Sequence, residues 1–245
     1  MDVIPLAASS LTSRLPALTM LRGWGDVMVT PVWSFLIRTA SSAILVDSGT
    51  PSPAVCEQRG MPVSDAGSPG LTELLAGHGI AARDIEYVVL THLHFDHSAN
   101  LGLFPRARVV LQRREFDYAR QPLWVHDNYY WLDACGLQEI VDDGRLHLVD
   151  GHAELADGVR VQLTPGHTPG SQVVQVGDGP GGWLLAGDSV PLLRNIEADG
   201  RIRPGGIFVD LGAYLDSLRL IAAHAPNILP GHEPSLQAGV PIVIR

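Results

Sequence analysis

The sequence predicts an α/β fold, with strands and helices mixed in one domain over residues 1–245. Three observations carry that expectation. Short β-like apolar runs recur along the chain, helical spacings alternate with them, and hydrophobic residues make up 46% of the composition, ample for one large core. No repeat, low-complexity tract or linker divides the chain, so one domain is the economical reading.

In chain order, residues 32–39 and 42–47 read as two strands across a small turn. Residues 52–70, rich in Pro, Gly and Ser, read as a loop. Residues 71–78 predict a short helix, with Leu71, Leu74 and Leu75 at helical spacing and Gly77 and Gly79 near its end. A buried strand at 86–91 runs directly into a histidine cluster. Residues 108–111 are strand-like and 113–120 helical. Residues 121–135 concentrate two Trp, two Tyr and a His. They are either a surface excursion packed on its own aromatics or the wall of a pocket. Strands return at 160–163, 171–176 and 183–186, the last two joined by a hairpin loop at 177–182. The stripe Leu211, Tyr214, Leu215, Leu218 and Ile221 predicts a helix. A short strand at 227–229 leads to a final histidine.

Composition excludes several classes. The net charge is −9, and the 17 basic residues, all arginine, are dispersed, with Arg113–Arg114 the closest pair. Nucleic acid is thereby excluded as a partner, because phosphate binding draws on clustered cations. Cys56 and Cys135 share no metal spacing and suit a reducing compartment. The N-terminus lacks a basic region followed by an apolar one, and no apolar run approaches the ~18–20 residues of a membrane span. The expectation is a soluble, cytoplasmic protein with no membrane partner.

The strongest chemical signal is Thr91-His92-Leu93-His94-Phe95-Asp96-His97, where three histidines and a carboxylate crowd groups that bind first-row divalent metals. In an extended segment His92, His94 and Asp96 would face one cleft, with Leu93 and Phe95 turned into the core. One loop cannot complete a metal site. Three further candidates follow short apolar runs in Gly- and Pro-rich turns: His167 in Pro165-Gly166-His167-Thr168-Pro169-Gly170, Asp188 in Gly187-Asp188-Ser189, and His232 in Pro230-Gly231-His232-Glu233. Each alone is more often structural. Their joint occurrence with the first cluster reverses that weighting.

In this order, HxHxDH and then His, Asp and His, the chain resembles the metallo-β-lactamase superfamily over most of its length. Val46-Asp47-Ser48-Gly49 also matches the strand end that precedes the metal motif in that family. The resemblance implies an αββα sandwich, two mixed β-sheets flanked by helices. It also implies that His92, His94 and His167 hold a first divalent ion and that Asp96, His97 and His232 hold a second. Asp188 would bridge the two, and Asp47 would accept a hydrogen bond that orients a ligating imidazole. Such a pair, ~3.5–4 Å apart, lowers the pKa of a shared water and polarises a carbonyl, so hydroxide bridging the metals would attack an ester. Asp96 would pass the proton to the leaving group. Imidazole and carboxylate ligands suit Zn²⁺ and accept Fe, Mn or Co. His78, His126, His147, His152 and His224 match no position of the motif.

Departures narrow the family. His94 stands where a redox di-iron site would carry an acidic residue, and Asp188 is absent from the β-lactamases proper. Nucleic-acid-processing members carry large insertions, and glyoxalase II carries a helical domain after its last metal histidine. What remains resembles the N-acyl-homoserine lactonase branch, through LTHLHFDHSANLGLFP, LTPGHTPGSQ and FLIRTASSAILVDSG. That branch places a tyrosine just beyond the bridging aspartate, where this chain reads Ser189-Val190-Pro191-Leu192-Leu193. Tyr129, Tyr130 or His126 is then the substitute, or the substrate differs. Trp124, His126, Tyr129, Tyr130 and Trp131 are the expected pocket wall, with 189–209 the other available segment. The expected partner is a small-molecule lactone or ester, met by a monomer or homodimer. A thioesterase or carboxylesterase on the same scaffold is the rival, and an inactive metal-binding module the remoter one.

Overall fold

The computed structural model describes residues 1–61, 63–64, 68–224 and 227–244. Strands β1 (Asp2–Arg14), β2 (Val27–Arg38), β3 (Ala43–Val46), β4 (Val63–Ser64), β5 (Ile85–Val89), β6 (Arg108–Gln112) and β7 (Leu146–Val149) belong to a first sheet. Strands β8 (His152–Ala156), β9 (Val159–Leu163), β10 (Gln172–Val176), β11 (Trp183–Gly187) and β12 (Ile228–Pro230) form a second, and β13 (Ile242–Val243) returns to the edge of the first. Strand order is β13-β1-β2-β3-β5-β6-β7, with β4 against β1, and β12-β11-β10-β9-β8. Both sheets are mixed. Pairing is antiparallel from β1 to β3 and parallel from β3 to β7, and the second sheet is antiparallel except for β11 with β12.

The period-two alternation of strands distributes side chains between layers. Phe35 and Ile37, Ile44 and Val46, Val89 and Val110 point inward and pack on Val159, Val161, Val174, Leu185 and Leu229 of the facing sheet. Their neighbours Leu36, Leu45, Val88, Val109 and Leu111 point outward onto Leu71 and Leu75 of helix Leu71–Gly77 and Leu137 and Ile140 of helix Leu137–Asp142. On the far side, Val173, Leu184 and Ala186 pack against Tyr214, Leu218 and Ile221 of helix Leu211–Ala222. The order helix, sheet, sheet, helix is the αββα sandwich. Strands buried on both faces read as unbroken apolar runs, which is why SAILVD and EYVVLT stood out.

Two expectations are corrected, and one strand has no counterpart in the sequence reading. Residues 52–70 are not all loop: they include helix Pro53–Gln58 and β4, while residues 62 and 65–67 lie outside the described residues. The stretch 92–97 is extended only to His94, and Phe95–Ser98 closes a helical turn whose His97 N–H donates to His94 O at 3.0 Å. Asp96 and His97 therefore project from a helical turn and not from a strand. The thirteen-residue β1 was not anticipated at all. Its Ala and Ser residues carry little strand preference and Pro5 reads as a breaker. Pairing with β2 along its whole length overrides both, and Pro5 lies past the short β13 pairing at Asp2 and Val3, where a missing N–H costs little.

Candidate metal centre

The C-terminal ends of β3, β5, β11 and β12, and the turn after β9, gather at one rim of the sandwich. They deliver Asp47, the stretch His92–His97, Asp188, His232 and His167. Three sets of candidate ligand atoms, each within 4.8 Å of one another, result: His92, His94 and His167; His92, His97 and Asp188; Asp96, His97 and His232. All seven residues expected to hold metal therefore meet in one place. His78, His126, His147, His152 and His224 lie in none of these sets.

The geometry fits cations. His167 Nε2 lies 3.2 Å from His92 Nε2 and 3.2 Å from His94 Nδ1. Ligand nitrogens of a tetrahedral ion with bonds of ~2.0–2.1 Å stand about 3.3 Å apart, so the spacing suits three nitrogens aimed at a common ion. Opposite nitrogens on the rings are engaged by acceptors. His167 Nδ1 donates to Ile207 O at 2.9 Å and His232 Nδ1 to Pro31 O at 2.9 Å. His97 Nδ1 donates to Asp47 Oδ2 at 2.8 Å. Thr91 Oγ1 donates to Asp47 Oδ2 and receives the Nδ1 proton of His92, 3.0 Å away. Because carbonyls and carboxylates only accept, these bonds select the tautomers that turn Nε2 lone pairs inward.

Asp188 faces both sides. Its Oδ1 lies 3.0 Å from His232 Nε2 and 3.3 Å from His97 Nε2, while Oδ2 lies 3.6 Å from His167 Nε2. Asp96 Oδ2 stands 3.6 Å from both His97 Nε2 and His232 Nε2. His97 Nε2 and Asp188 Oδ1 are buried 3.3 Å apart, and among the described residues neither finds a hydrogen-bond partner of good geometry. Burying two such atoms unpaired is costly, and a shared cation removes the cost.

Charge divides the centre into two halves. Burial, reinforced by the neighbouring rings, holds His92 and His94 well below the ordinary histidine value and lowers His167. Burial also opposes charge on His97 and His232, but the carboxylates around them, Asp96 and Asp188 foremost, raise both. Asp188, despite its burial, is held well below the usual carboxylate range by His232 and His97. One set is thus neutral imidazoles, and the other mixes imidazole with carboxylate.

A profile of the metallo-beta-lactamase superfamily matches residues 27–232. The chain belongs to that superfamily. An N-acyl homoserine lactonase from Bacillus sp is 32% identical over 225 residues, spanning 88% of this chain and 86% of its own. The N-acyl homoserine lactonase AttM of Rhizobium radiobacter is 28% identical, spanning 95% of this chain and 93% of its own. Among solved structures, a quorum-quenching N-acyl homoserine lactone lactonase superposes with a TM-score of 0.76 at 25% identity, over 95% of this chain and 92% of that one. A probable metal-dependent hydrolase from Staphylococcus aureus gives 0.79 at 20% identity, over 94% and 88%, a likeness of fold alone. The superfamily member described here is a metal-dependent hydrolase of the lactonase-like kind. No helix among the described residues is long and apolar enough to cross a membrane.

The five expected pocket residues fall in different places. Tyr129 sits beside the metal centre, its ring 5.0 Å from that of His94. Tyr130 also meets His94 edge-on at 5.0 Å, but it is buried and its hydroxyl is bonded to Glu115. Trp131 is buried in a 4.2 Å stack on Phe95, and the Arg59 guanidinium lies over its ring, 4.8 Å from the centroid. His126 is tied through Nδ1 to Tyr118 at 2.9 Å. Trp124 is 83% exposed.

Sequence reasoning missed two residues. Tyr214 reads as one more apolar position of a helical stripe, yet it is buried and donates to Asp188 O at 2.7 Å. Gly166, at φ +142°, lets the His167 turn close on it, since a Cβ there would lie 2.2 Å from Tyr214 Cα. Glu115 reads as a surface carboxylate in the first turn of an Arg-rich helix, and it is fully buried beneath the histidine loop. Nothing local distinguishes either, because both acquire partners only from distant loops.

Proposed function

We propose that this hydrolase opens the ring of a small-molecule lactone, with an N-acyl homoserine lactone the first candidate, at two divalent ions, zinc before Fe, Mn or Co. The observation that carries the reading is the placement of Asp188, one oxygen toward His97 and His232 and the other toward His167. That is what a carboxylate shared by two ions requires, and the resemblance to N-acyl homoserine lactonases along most of the chain supports the substrate class. When bound, the two ions would supply an activated water at neutral pH and polarise the ester carbonyl.

The chain's own residues do the rest. His92, His94 and His167 would hold one ion and Asp96, His97 and His232 the other, with Asp188 common to both. Asp96 would take the proton of the attacking water and deliver it to the ring oxygen as the acyl C–O bond breaks, leaving a hydroxy acid. After Asp188, Val190 and Leu192 are buried in the core and the Ser189 hydroxyl is engaged with Thr164 at 3.3 Å. That segment therefore offers no group for the substrate carbonyl, and Tyr129, whose ring lies 5.0 Å from that of His94, would take that role. The enzyme would act in the cytoplasm, as a monomer or homodimer, and in quorum quenching.

The test is a substrate panel. Purified protein is assayed against lactones of varied ring size and acyl chain, open-chain esters and thioesters, with ring opening followed by proton release. Lactones are expected to be the best substrates. Turnover of thioesters with none of lactones would replace the reading with a thioesterase.

A further inference from the structure

Glu115 lies on helix Arg113–Ala119, is fully buried, and belongs to neither ligand loop. Its carboxylate nevertheless joins them. Oε1 accepts from Leu93 N at 3.0 Å and from the Tyr130 hydroxyl at 3.2 Å. Oε2 accepts from Thr168 Oγ1 at 2.5 Å and from Gly170 N at 3.2 Å. Leu93 stands between His92 and His94, and Thr168 follows His167. Four donors from three segments thus converge on an acceptor-only group, which no neutral side chain of the same size could satisfy. The turn at Gly170 is pressed against the same helix, since a Cβ there would lie 2.1 Å from Glu115 N.

The other ligand set takes its support elsewhere. His97 is held by Asp47 and His232 by the carbonyl of Pro31. Neither makes a hydrogen bond to Glu115. A buried carboxylate is expensive where an apolar side chain would pack more cheaply, so its presence calls for a task that apolar packing cannot perform.

We propose that Glu115 is a positioning residue that sets the metal affinity of the His92, His94 and His167 set without setting that of the Asp96, His97 and His232 set. The inference rests on the two-ion reading above. Glu115 acts by fixing the spacing between the backbone that carries His92 and His94 and the turn that carries His167. Losing a partner of this kind weakens metal binding by about 10–100-fold in comparable sites.

The test titrates metal-free protein with Co²⁺, following visible absorption and the ions retained per chain after desalting. Wild type is expected to retain two. Glu115→Gln puts an NH₂ group against two donors, and is expected to weaken one of the two binding steps by about 10–100-fold and leave the other unchanged. Thr168→Val, which removes a single donor and leaves the carboxylate in place, should shift the same step in the same direction by less. In a His167→Ala background, which has already lost that set, Glu115→Gln should change nothing further. A two-ion wild type whose Glu115→Gln variant weakens both steps alike, or neither, overturns the role of Glu115. So does further weakening in the His167→Ala background. A wild type that retains a single ion overturns the two-ion reading, and the selectivity falls with it.

Discussion

Asp47 accepts a hydrogen bond from His97 Nδ1 at 2.8 Å while its own backbone is held at φ +58°, in the left-handed region. The same carboxylate accepts from Thr91 N at 2.7 Å and Thr91 Oγ1 at 2.8 Å, and Thr91 in turn holds His92. One residue at the end of β3 thus orients a histidine of each ligand set. A non-glycine residue in that conformation persists only when its surroundings over-determine it, and here three hydrogen bonds do so.

Asp47→Asn is expected to weaken both metal-binding steps, by about 10–100-fold, because asparagine tolerates the same backbone but presents one acceptor fewer and no charge. Titration of metal-free protein checks this. Affinities equal to wild type would remove Asp47 from the orienting role.

Asp96→Asn keeps the size and one oxygen of the side chain and removes its basicity. Turnover is expected to fall by at least ~10²-fold, the usual cost of losing a general acid–base group. Metal content measured on the same sample separates proton transfer from ligation. A variant with both ions and near-normal kcat would leave Asp96 no part in moving the proton.

The metal-free protein should have a stability maximum in pH. His92, His94 and His167 are lowered from 6.5, so their contribution is present above 6.5 and is lost as pH falls toward their lowered values. His97 and His232 are raised from 6.5, so their contribution is complete below 6.5 and is lost as pH rises through their raised values. The Tm of chelator-treated protein should therefore peak near the ordinary histidine pKa and decline on both sides. Metal loading should abolish the alkaline decline, because ions replace the protons on His97 and His232. A metal-free Tm that climbs steadily into the alkaline range would contradict the assignment.

The aromatic segment should divide under mutation. Tyr129→Ala is expected to raise KM or alter substrate preference with metal content unchanged, since the ring lies beside His94 without supporting it through any hydrogen bond. Trp131→Ala should instead lower Tm, because it removes a buried ring stacked on Phe95. Trp124→Ala should leave Tm unchanged. Unaltered kcat/KM in Tyr129→Ala on the best substrate would remove Tyr129 from the pocket wall.

Both thiols should be inert in the native protein. Burial pushes Cys56 up to about 11 and raises Cys135 as well, so neither supplies thiolate at neutral pH. A thiol reagent such as Ellman's should react only on denaturation. Stoichiometric reaction with the folded protein would show that one of them is reached by opening of the chain.

The string of residues alone carries the class of the protein and names the seven side chains that the fold then brings together at one sheet rim. Seven ligand-type residues and Asp47 were legible because they stand in short, chemically unusual strings, and β3, β5 and β11 because strands buried on both faces are continuously apolar. Three matters were left to the tertiary structure. The turn at Phe95–Ser98, which directs Asp96 and His97 to the second set, follows from closure of the loop over the sheet rim and not from local alternation. β1 forms because β2 pairs with it, against its own Ala, Ser and Pro content. Glu115 and Tyr214 look like an exposed helix carboxylate and a core ring until the turns bearing Thr168, Gly170 and Asp188 are folded onto them. A side chain's type can be read from the string of residues around it. Its hydrogen-bond partners, when they come from 53 positions away as Thr168 does for Glu115, exist only once the strands between have been stacked.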